Sequence, residues 1–523
     1  MAAAVCYADL LLTGGPVYTA EPAGPRWVEA VAVRDGRILA AGPAAELAGL
    51  RGPRTEVIDL AGRLLLPGFT ESHVHFIELA LRAAQVDATH AVSAHAVADM
   101  VGAALAQRRH TASGGWVRGG GWNTNIWADG SLPHRRILDA AAGDTPVALD
   151  SKALHAVWAN SAALRLAGIT AATPDVPGGV IERDADGEPT GVLHENAVEL
   201  VARAYPRLAA ADAAAAVTAA TPGMWQAGIV ALHNANDSED GLSFRAYQAL
   251  RQAGRLGLRV LQHIPVCNLA HAAALGLRSG LGDAWLRVGG VKMFADGALG
   301  NRTASMLQPF VGEPDNWGVP TTDPEEMLEL ALAASAAGLS LTVHAIGDRA
   351  NRDVLDVLAE VRRQEALHGH TPRLRHRIEH VQVIHPADLP RLAALDVIAS
   401  VQPIHATSDM LIVDRFWGPE REPHAPLIGI HAAVTRRRAD GAPGPAGWQP
   451  QERITVAEAV DAYTYWPAYA AGEEHYRGSI AAGKAADLVL LGTNIFETDP
   501  MAILDAPVEM TVLDGKVVWR TGN

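Results

Sequence analysis

The chain has 523 residues, of which 49% are hydrophobic and 19% are charged, and its formal net charge is −15. This composition indicates a globular protein that is long enough for more than one domain, or for one barrel with additions. The acidic balance argues against a nucleic-acid partner, because binding phosphates requires a concentrated basic face.

The sequence gives no sign of a disulfide framework or of a membrane segment. Its two cysteines, Cys6 and Cys267, fit a reducing, cytoplasmic location. The first residues lack the basic start of a signal peptide, and no apolar run reaches the roughly 18 residues that a membrane span requires. We therefore expect no membrane partner.

Both ends of the chain are typical of short strands joined by tight turns. Asp35-Gly36 and Asp514-Gly515 each lie between two apolar runs, which predicts a hairpin because type I′ turns need positive φ. Neither end has enough strands to be stable alone. We therefore predict one small β domain built from residues 1–66 and 477–523, with residues 67–476 threaded between them.

The first strand of the central region ends in a pair of histidines. Alternation along a strand places Glu71, His73 and His75 on one face. Neutral imidazole is a preferred ligand of zinc and similar ions, so the two histidines can bind one ion together. The pair alone is weak evidence, because the chain has 21 histidines.

The stretch at about 85–200 is too long for one crossover between strands, so we predict an insertion there. It contains Trp116, Trp122, Trp127 and Trp158. Insertions at this position commonly cover a site, which makes Trp122 a candidate substrate-binding residue. Packing in a hydrophobic core is the favoured alternative for these tryptophans.

The rest of the central region alternates apolar strands with helices, as parallel βα units do. Asp323 and Pro324 are typical of a helix start, and Gly338 is typical of its end. After the opening strand we predict six more strands, at 228–233, 257–264, 286–294, 339–344, 376–380 and 397–402.

Unusual polar residues lie at the ends of three of these strands. Lys292 shares one face with Asp296, while His344 and His380 each end a strand. A lysine among apolar neighbours is costly unless it is paired or modified. Because the carboxyl ends of barrel strands meet at one mouth, four histidines and Lys292 are predicted to face one cavity.

For five other polar residues near these strand ends, the sequence allows both a functional and a structural interpretation. A packing role is favoured over a functional one for three histidines: His233, His263 and His405. Glu71 and Glu379 lie close to predicted ligands, where each is either a hydrogen-bond partner of a ligand or part of a surface salt bridge.

The segments 67–75, 291–300, 343–348 and 378–382, in this order, resemble the metal-dependent amidohydrolase superfamily. The resemblance is to amidohydrolase family 3, the YtcJ-like branch that includes enzymes similar to N-substituted formamide deformylase. It extends over nearly the whole chain. It implies an α/β fold in which residues 67–476 form a distorted TIM-like (β/α)8 barrel and the terminal pieces form a composite β-sandwich.

The same resemblance implies a metal centre with one or two divalent ions, zinc being the first choice. His73 and His75 would bind one ion, His344 and His380 the second, and Lys292 would be a carboxylated bridge between them. Two cations lower the pKa of a shared water enough to give hydroxide near neutral pH. With a single ion, Lys292 would instead remain an amine that orients substrate.

The resemblance fails at the eighth strand, where the family places an aspartate that binds metal and transfers a proton. We find no such motif between Gln402 and the helix start at Thr455, so the eighth strand is doubtful. Asp409 is our candidate for the missing acid, Asp296 is a second candidate catalytic residue, and His405 is a candidate substrate-binding residue. A missing strand would leave barrel edges unpaired.

The leading functional hypothesis is a hydrolase that cleaves a non-peptide, amide-type C–N bond of a small molecule. In it, metal-bound hydroxide attacks a polarised carbonyl. The alternative is a non-catalytic or impaired metal-binding relative that lacks the eighth-strand aspartate. A small-molecule substrate is the expected partner, and association into a homo-oligomer stays open.

Overall fold

The computed structural model describes residues 7–83, 85–107, 115–127, 129–152, 156–298, 302–369, 373–407 and 426–522. These residues divide into two compact units. The first comprises residues 1–75, 221–241 and 254–523, and the second comprises residues 76–220 and 242–253.

The strands of the described residues belong to three sheets. They are β1 (Leu10–Tyr18), β2 (Trp27–Arg34), β3 (Arg37–Gly42), β4 (Glu56–Asp59), β5 (Leu64–Pro67), β6 (Phe69–Val74), β7 (Val86–Asp87), β8 (Val117–Trp122), β9 (Val147–Ser151), β10 (Ala156–Ala159), β11 (Gly179–Arg183), β12 (Pro189–Glu195), β13 (Ile229–Asn234), β14 (Arg259–Pro265), β15 (Leu286–Phe294), β16 (Leu341–Ala345), β17 (Arg377–His380), β18 (Ile398–Ser400), β19 (Leu488–Leu491), β20 (Val508–Leu513) and β21 (Lys516–Arg520).

The α-helices lie mainly between strands. They are α1 (Ala44–Leu47), α2 (Phe76–Ala83), α3 (Ala94–Ala106), α4 (Arg135–Ala142), α5 (Ser161–Leu166), α6 (Val198–Ala202), α7 (Ala210–Gln226), α8 (Leu242–Gln252), α9 (Leu269–Ala274), α10 (Pro324–Ala336), α11 (Asp348–His368), α12 (Leu389–Ala394), α13 (Pro426–Thr435), α14 (Val456–Tyr463) and α15 (Tyr465–Ala470). None of the helices in the described ranges is long and apolar enough to cross a bilayer.

The first unit is built on a parallel, nearly closed seven-stranded barrel sheet in the order β18-β17-β16-β15-β14-β13-β6. All seven predicted strands are confirmed, and so is the TIM-like fold class. The strands are rich in buried apolar residues, as expected when helices cover one face of a parallel sheet and side chains fill the other. Val291, Val343 and Ile378, on three neighbouring strands, are each at most 2% exposed.

The barrel sheet ends at β6 on one side and at β18 on the other, and no eighth strand joins it in the described part of the chain. After β18 the next described segments are helical, at 403–407 and in α13. Seven strands leave two edges where a closed barrel has none. This agrees with the doubt that the sequence raises about the eighth strand.

The two ends of the chain share one sheet, in the order β21-β20-β19-β5-β1-β2-β3, with β4 beside β1. The central pairing is β19 with β5, which is antiparallel. Both predicted hairpin turns are confirmed: φ is 50° at Asp35 and 75° at Gly36, and 52° at Asp514 and 75° at Gly515. Positive φ at both turn positions is the type I′ pattern that the Asp-Gly pairs predict.

The first unit also contains a buried ion cluster that joins the barrel to the terminal sheet, and we call it the Arg259 clamp. Arg259 begins β14, and its guanidinium donates to both carboxylate oxygens of Asp487, at 2.6 and 3.0 Å, and to Asp514 at 3.0 Å. Its charge also lies over the ring of Trp285, 4.7 Å from the ring centre. The clamp fixes the start of a barrel strand against the strand β19 and the β20–β21 turn.

The second unit contains a six-stranded sheet in the order β11-β12-β10-β9-β8-β7. Its hydrophobic core includes Trp122, Trp127 and Trp158, whose rings lie 6.3–6.4 Å apart. The indole of Trp122 donates to the carbonyl of Leu149 at 2.8 Å, which satisfies its only polar atom inside that core.

The helix ends that the sequence predicts are also present. The Asp323 side chain caps α10 by accepting from the N–H of Glu325 at 2.9 Å, and Gly338 follows the helix with φ of 78°. Thr455 and Glu458 form a complete capping box at the start of α14. These local signals are strong because each satisfies backbone groups that a helix end leaves unpaired.

Candidate metal centre at the ends of the barrel strands

Three histidines form a row across the carboxyl ends of three barrel strands, and we call this the histidine row. His73 comes from β6, His344 from β16 and His380 from β17. The ring centres of His73 and His380 are 4.7 Å apart, and those of His380 and His344 are 4.6 Å apart. His75 extends the row, with its ring centre 5.9 Å from that of His73.

These spacings suit imidazoles that share an ion. Two rings bound at about 2.0–2.1 Å to one tetrahedral zinc have centres roughly 5 Å apart. Within the described ranges, however, no three His, Cys, Asp or Glu side chains are grouped to hold a metal as they stand. The predicted arrangement, two histidines per ion with Lys292 as a bridge, does not depend on such a group of three.

Each member of the row uses one ring nitrogen for a contact inside the protein. Nδ1 of His73 lies 2.6 Å from the Glu379 carboxylate, and Nδ1 of His380 lies 2.6 Å from the side-chain oxygen of Gln402. Nε2 of His344 lies 2.9 Å from the carbonyl oxygen of Gly297. Such contacts fix the tautomer and direct the other nitrogen toward an ion, so the donor chemistry fits a divalent metal.

Burial favours the neutral form of His73, His344 and His380, which is the form that binds metal. Burial lowers the pKa of His73 to about 4, against the opposing pull of the Glu379 charge. Burial likewise lowers the pKa of His344 to about 4. Burial and the neighbouring rings of His73 and His344 lower the pKa of His380 far below its usual range.

Glu379 and Arg377 hold the side chain of His73 in place. Glu379 is fully buried and its carboxylate contacts both His73 and the Arg377 guanidinium. Arg377 also donates to the carbonyl oxygen of Ser72 at 2.7 Å, so β17 is tied to β6 across the barrel. Burial favours the neutral acid at Glu379, but the Arg377 charge outweighs it and holds the pKa of Glu379 well below its usual range.

Arg377 is the residue of this centre that sequence reasoning missed. The interpretation of Glu379 as a partner of a ligand fits the structure, whereas a surface salt bridge does not, since Glu379 is buried. Glu71 is also buried, and its carboxylate accepts from the backbone N–H of His73 at 3.2 Å. Alternation places Arg377 and Glu379 on one face of β17, and this was the available signal.

The backbone is strained at the end of β17. His380 has φ of 74° and the following Val381 has φ of 45°, and both values are unfavourable for residues with a β-carbon. Regular alternation would point Glu379 and His380 to opposite faces. The left-handed turn at His380 explains how both side chains reach His73. Strain of this kind is concentrated at functional sites.

Lys292 lies on β15 beside the row and is 1% exposed. Its amine sits 4.8 Å from the centre of the Phe294 ring, and it has no hydrogen bond or ion pair with any described residue. Burial lowers its pKa from 10.5 to about 8. A buried amine without a partner is the group that an ion or a covalent modification would satisfy.

Asp296 is 2% exposed and accepts three backbone hydrogen bonds, from Ser305, Ile346 and Gly347, at 2.8–3.0 Å. Its carboxylate also lies 3.6 Å from Nε2 of His344. Burial raises its pKa, although the three N–H groups oppose this. These contacts describe a carboxylate that holds the loop after β16, and a catalytic role for Asp296 stays a prediction.

Three further residues were predicted for the site, and their positions differ. Asp409 lies outside the described residues. The ring of His405, in the helical turn at 403–407, is 5.7 Å from that of His380, which places it next to the row. Trp122 lies in the core of the second unit, as the packing interpretation holds, and its role toward substrate stays a prediction.

Comparison with known proteins gives a consistent family. The model of the amidohydrolase family matches residues 56–429 and 419–519. The chain is 33% identical to the putative amidohydrolase YtcJ of Bacillus subtilis strain 168, over 97% of this chain and 98% of that protein. It is 29% identical to the N-substituted formamide deformylase of Arthrobacter pascens, over 98% of this chain and 99% of that protein.

A solved structure has the same fold over most of the chain. An uncharacterized metal-dependent hydrolase from Pyrococcus horikoshii superposes with a TM-score of 0.75 and 25% identity, covering 94% of this chain and 99% of that one. The two matches of the family model overlap at 419–429, in the region where the sequence lacks the eighth-strand motif.

Proposed function

The chain belongs to the amidohydrolase family and is a hydrolase, and we propose that it cleaves a non-peptide, amide-type C–N bond of a small molecule with the help of divalent metal. The observation that carries the proposal is the histidine row, in which the ring of His380 lies 4.6–4.7 Å from each of the other two rings. The similarity to an N-substituted formamide deformylase supports the choice of bond.

The residues that would hold the metal are His73, His75, Lys292, His344 and His380. Zinc is our first choice because imidazole nitrogens are its preferred ligands. When bound, one or two such ions supply a Lewis acid for the substrate carbonyl and lower the pKa of water. The 25% identical solved structure, described as a metal-dependent hydrolase, supports metal use.

We propose that Lys292 is carboxylated in the loaded protein. After the ammonium loses one proton, the neutral amine would attack carbon dioxide, form an N–C bond and release a second proton, so that a buried cation becomes an anion that can bind two cations. A pKa of about 8 leaves a share of the amine deprotonated at neutral pH, as this step requires. The absence of a hydrogen bond to Lys292 among the described residues leaves its amine available.

The supporting residues would act by orientation. Glu379 accepts from Nδ1 of His73, Gln402 contacts Nδ1 of His380, and the Gly297 carbonyl contacts Nε2 of His344. Each contact leaves the opposite ring nitrogen for the ion. Asp296 holds the loop that follows His344, and Arg377 balances the buried charge of Glu379.

Hydrolysis also needs a group that takes a proton from water and gives it to the leaving nitrogen. Asp409 is our first candidate and Asp296 our second, because the three N–H groups bound to Asp296 hold its carboxylate in place. For substrate contact we propose His405, next to the row, and Trp122. A cytoplasmic small molecule is the proposed substrate, and association into a homo-oligomer stays open.

Metal analysis of the purified protein is the first test. We expect about one or two zinc ions per chain in the wild type and a clear loss in His73→Ala and in His380→Ala. Replacing His376, a buried histidine whose two nitrogens contact Leu341 and Glu365, provides the matched control, because it should leave the metal content unchanged. A metal-free wild type grown with ample zinc would reject the proposal.

A panel of substrates tests the chemistry. We expect the metal-loaded protein to release amine from N-formyl or N-acyl amines and to leave dipeptides intact. If the protein cleaves dipeptides and no other substrate of the panel, the non-peptide assignment is wrong, although the protein is still a hydrolase.

One observation favours a second candidate function, a metal-binding relative that has lost turnover. The described barrel has seven strands, and no eighth strand supplies an acid among the described residues. Full metal content with no activity on the whole panel would favour this candidate. Turnover that Asp409→Asn abolishes, with metal content retained, would exclude it.

A further inference from the structure

Two buried histidines in the barrel interior lie outside the histidine row. His233 on β13 is 0% exposed and His263 on β14 is 2% exposed. Their ring centres are 6.4 Å apart and the ring planes are nearly perpendicular, at 82°. The metal proposal does not use either residue.

The contacts of the two rings determine where their protons lie. Nδ1 of His233 is 3.0 Å from a nitrogen of the Arg377 guanidinium, and Nδ1 of His263 is 2.9 Å from the backbone nitrogen of Gly290. A guanidinium and a backbone N–H can only donate, so Nδ1 of each ring must accept. Each ring is then neutral, with its proton on Nε2.

The surroundings of both rings favour the neutral form of histidine. Burial, followed by the charge of Arg377, lowers the pKa of His233 and of His263 well below the usual range. Their Nε2 atoms are therefore N–H donors and cannot serve as metal ligands, which need a lone pair.

Neither Nε2 has a hydrogen-bond partner among the described residues, and both atoms are shielded from solvent. Buried donors in native proteins are nearly always hydrogen-bonded, either to protein or to an enclosed molecule. Two unpartnered donors on neighbouring strands thus indicate an acceptor that the described chain does not supply.

We propose that the barrel interior binds one small hydrogen-bond acceptor, a water molecule or a halide-sized anion, between Nε2 of His233 and Nε2 of His263. An acceptor about 2.9 Å from each Nε2 would lie about 4 Å from each ring centre. Two bonds directed at one shared point from rings whose centres are 6.4 Å apart would meet there at roughly 105°, an angle that suits a bridging water. The nearby Arg377 charge favours an anion and the Glu379 charge opposes it, so the choice between water and an anion is left to experiment.

The surroundings of His263 hold its ring in place for this role. A β-carbon at Gly289 would lie 2.6 Å from Nδ1 of the ring, so glycine is needed to leave room for it. The Gly290 N–H holds Nδ1 from one side, and the hydroxyl of Thr342 lies 3.2 Å from the same atom. The ring therefore cannot turn to find another acceptor without losing these contacts.

Crystals of the full chain, grown with chloride and with bromide and measured at the bromine absorption edge, test the proposal. We expect density within about 3 Å of both Nε2 atoms. An anomalous peak there identifies an anion, and density without one identifies water. No density, or an oxygen of the chain itself at that point, would overturn the proposal.

Nitrogen NMR of histidine-labelled protein gives an independent test in solution. We expect both rings to carry the proton on Nε2, with slow exchange, and a proton on Nδ1 of either ring would overturn the argument. In crystals of His263→Phe the density should disappear, whereas Thr342→Val, which keeps both donors, should retain it. If His263→Phe does not fold, the wild-type crystals and spectra still decide.

Discussion

Two buried arginines of the barrel sheet have different surroundings. Arg259, in the clamp, is bound by two carboxylates, and its remaining nitrogen donates to the carbonyl of Ala284 at 3.0 Å. Arg377 shares its single carboxylate, Glu379, with His73 and also contacts His233. The charge of Arg259 is fully paired by the clamp, whereas polar atoms near Arg377 have no hydrogen-bond partner in the described part of the chain.

This difference separates a cluster that stabilises the fold from one that is suited to bind something. Around the clamp, each buried charge faces an opposite charge. Around Arg377 lie the amine of Lys292 and Nε2 of His233, which have no hydrogen-bond partner among the described residues. Breaking the first cluster should therefore cost stability, whereas changes in the second should weaken ligand binding without that cost.

The largest effect is expected from Arg259→Met, which keeps the apolar stem but removes the charge. Asp487, with a side chain 5% exposed, is then left as a buried unpaired carboxylate. The free energy of unfolding should fall by about 3–5 kcal/mol, measured by urea denaturation. Metal content per folded chain should stay unchanged. A loss under about 1 kcal/mol would contradict the role of the clamp.

Lys292→Met should raise the free energy of unfolding of the metal-free protein. The folded-state pKa of Lys292 is about 8 and its ordinary value is 10.5. Between these values the unfolded chain binds more protons, so stability of the wild type rises with pH across that window. A difference of about 2.5 pKa units corresponds to about 3 kcal/mol, which is the upper bound for the gain at pH 7.

Denaturation of both metal-free proteins from pH 7 to 11 measures this effect. The wild type should gain stability between about pH 8 and 10.5 relative to Lys292→Met. Lys516→Met, at an exposed position, serves as the control for loss of one positive charge. Equal stability of the wild type and Lys292→Met at every pH would show that the amine finds a partner in solution.

Glu379→Gln tests the cluster around Arg377 directly. The amide cannot hold His73 as the carboxylate does, so zinc affinity should fall about 10- to 100-fold, measured by competition with a chelator. Glu365→Gln is the matched control, because Glu365 also contacts a buried histidine, His376, at 2.9 Å, but away from the row. Equal losses in both variants would assign Glu379 a purely structural role.

The smallest effect is expected from Asp514→Asn. Its side chain is 43% exposed, although it contacts Arg259 at 3.0 Å. Solvent screens such a pair, so the free energy of unfolding should fall by less than about 1 kcal/mol. A loss as large as that of Arg259→Met would mean that Asp514, not Asp487, dominates the clamp.

Features with a local cause were predictable from sequence. The Asp-Gly turns, the cap at Asp323 and the seven barrel strands follow from backbone preferences and periodicity, and the structure confirms them. His73, His344 and His380 were found because strand ends of a barrel meet at one mouth. Their assignment as metal ligands stays a prediction.

Features that depend on contacts across the barrel were not predictable. Arg377 reaches Ser72, which is 305 positions away in the chain, and no local pattern indicates that pairing. Regular alternation along β17 would place the side chains of Glu379 and His380 on opposite faces. The positive φ of His380 breaks this alternation. The proton positions in His233 and His263 likewise depend on donors from other strands.

The pairing of β5 with β19 has a consequence for synthesis of the chain. Leu64 of β5 lies opposite Leu491 of β19, so the terminal sheet cannot be completed until translation has passed Leu491. Until then the nascent chain presents β5 as an open edge, ready to pair with another chain. A premature stop before Leu488 would leave that edge permanently exposed, which favours aggregation and degradation of the truncated product.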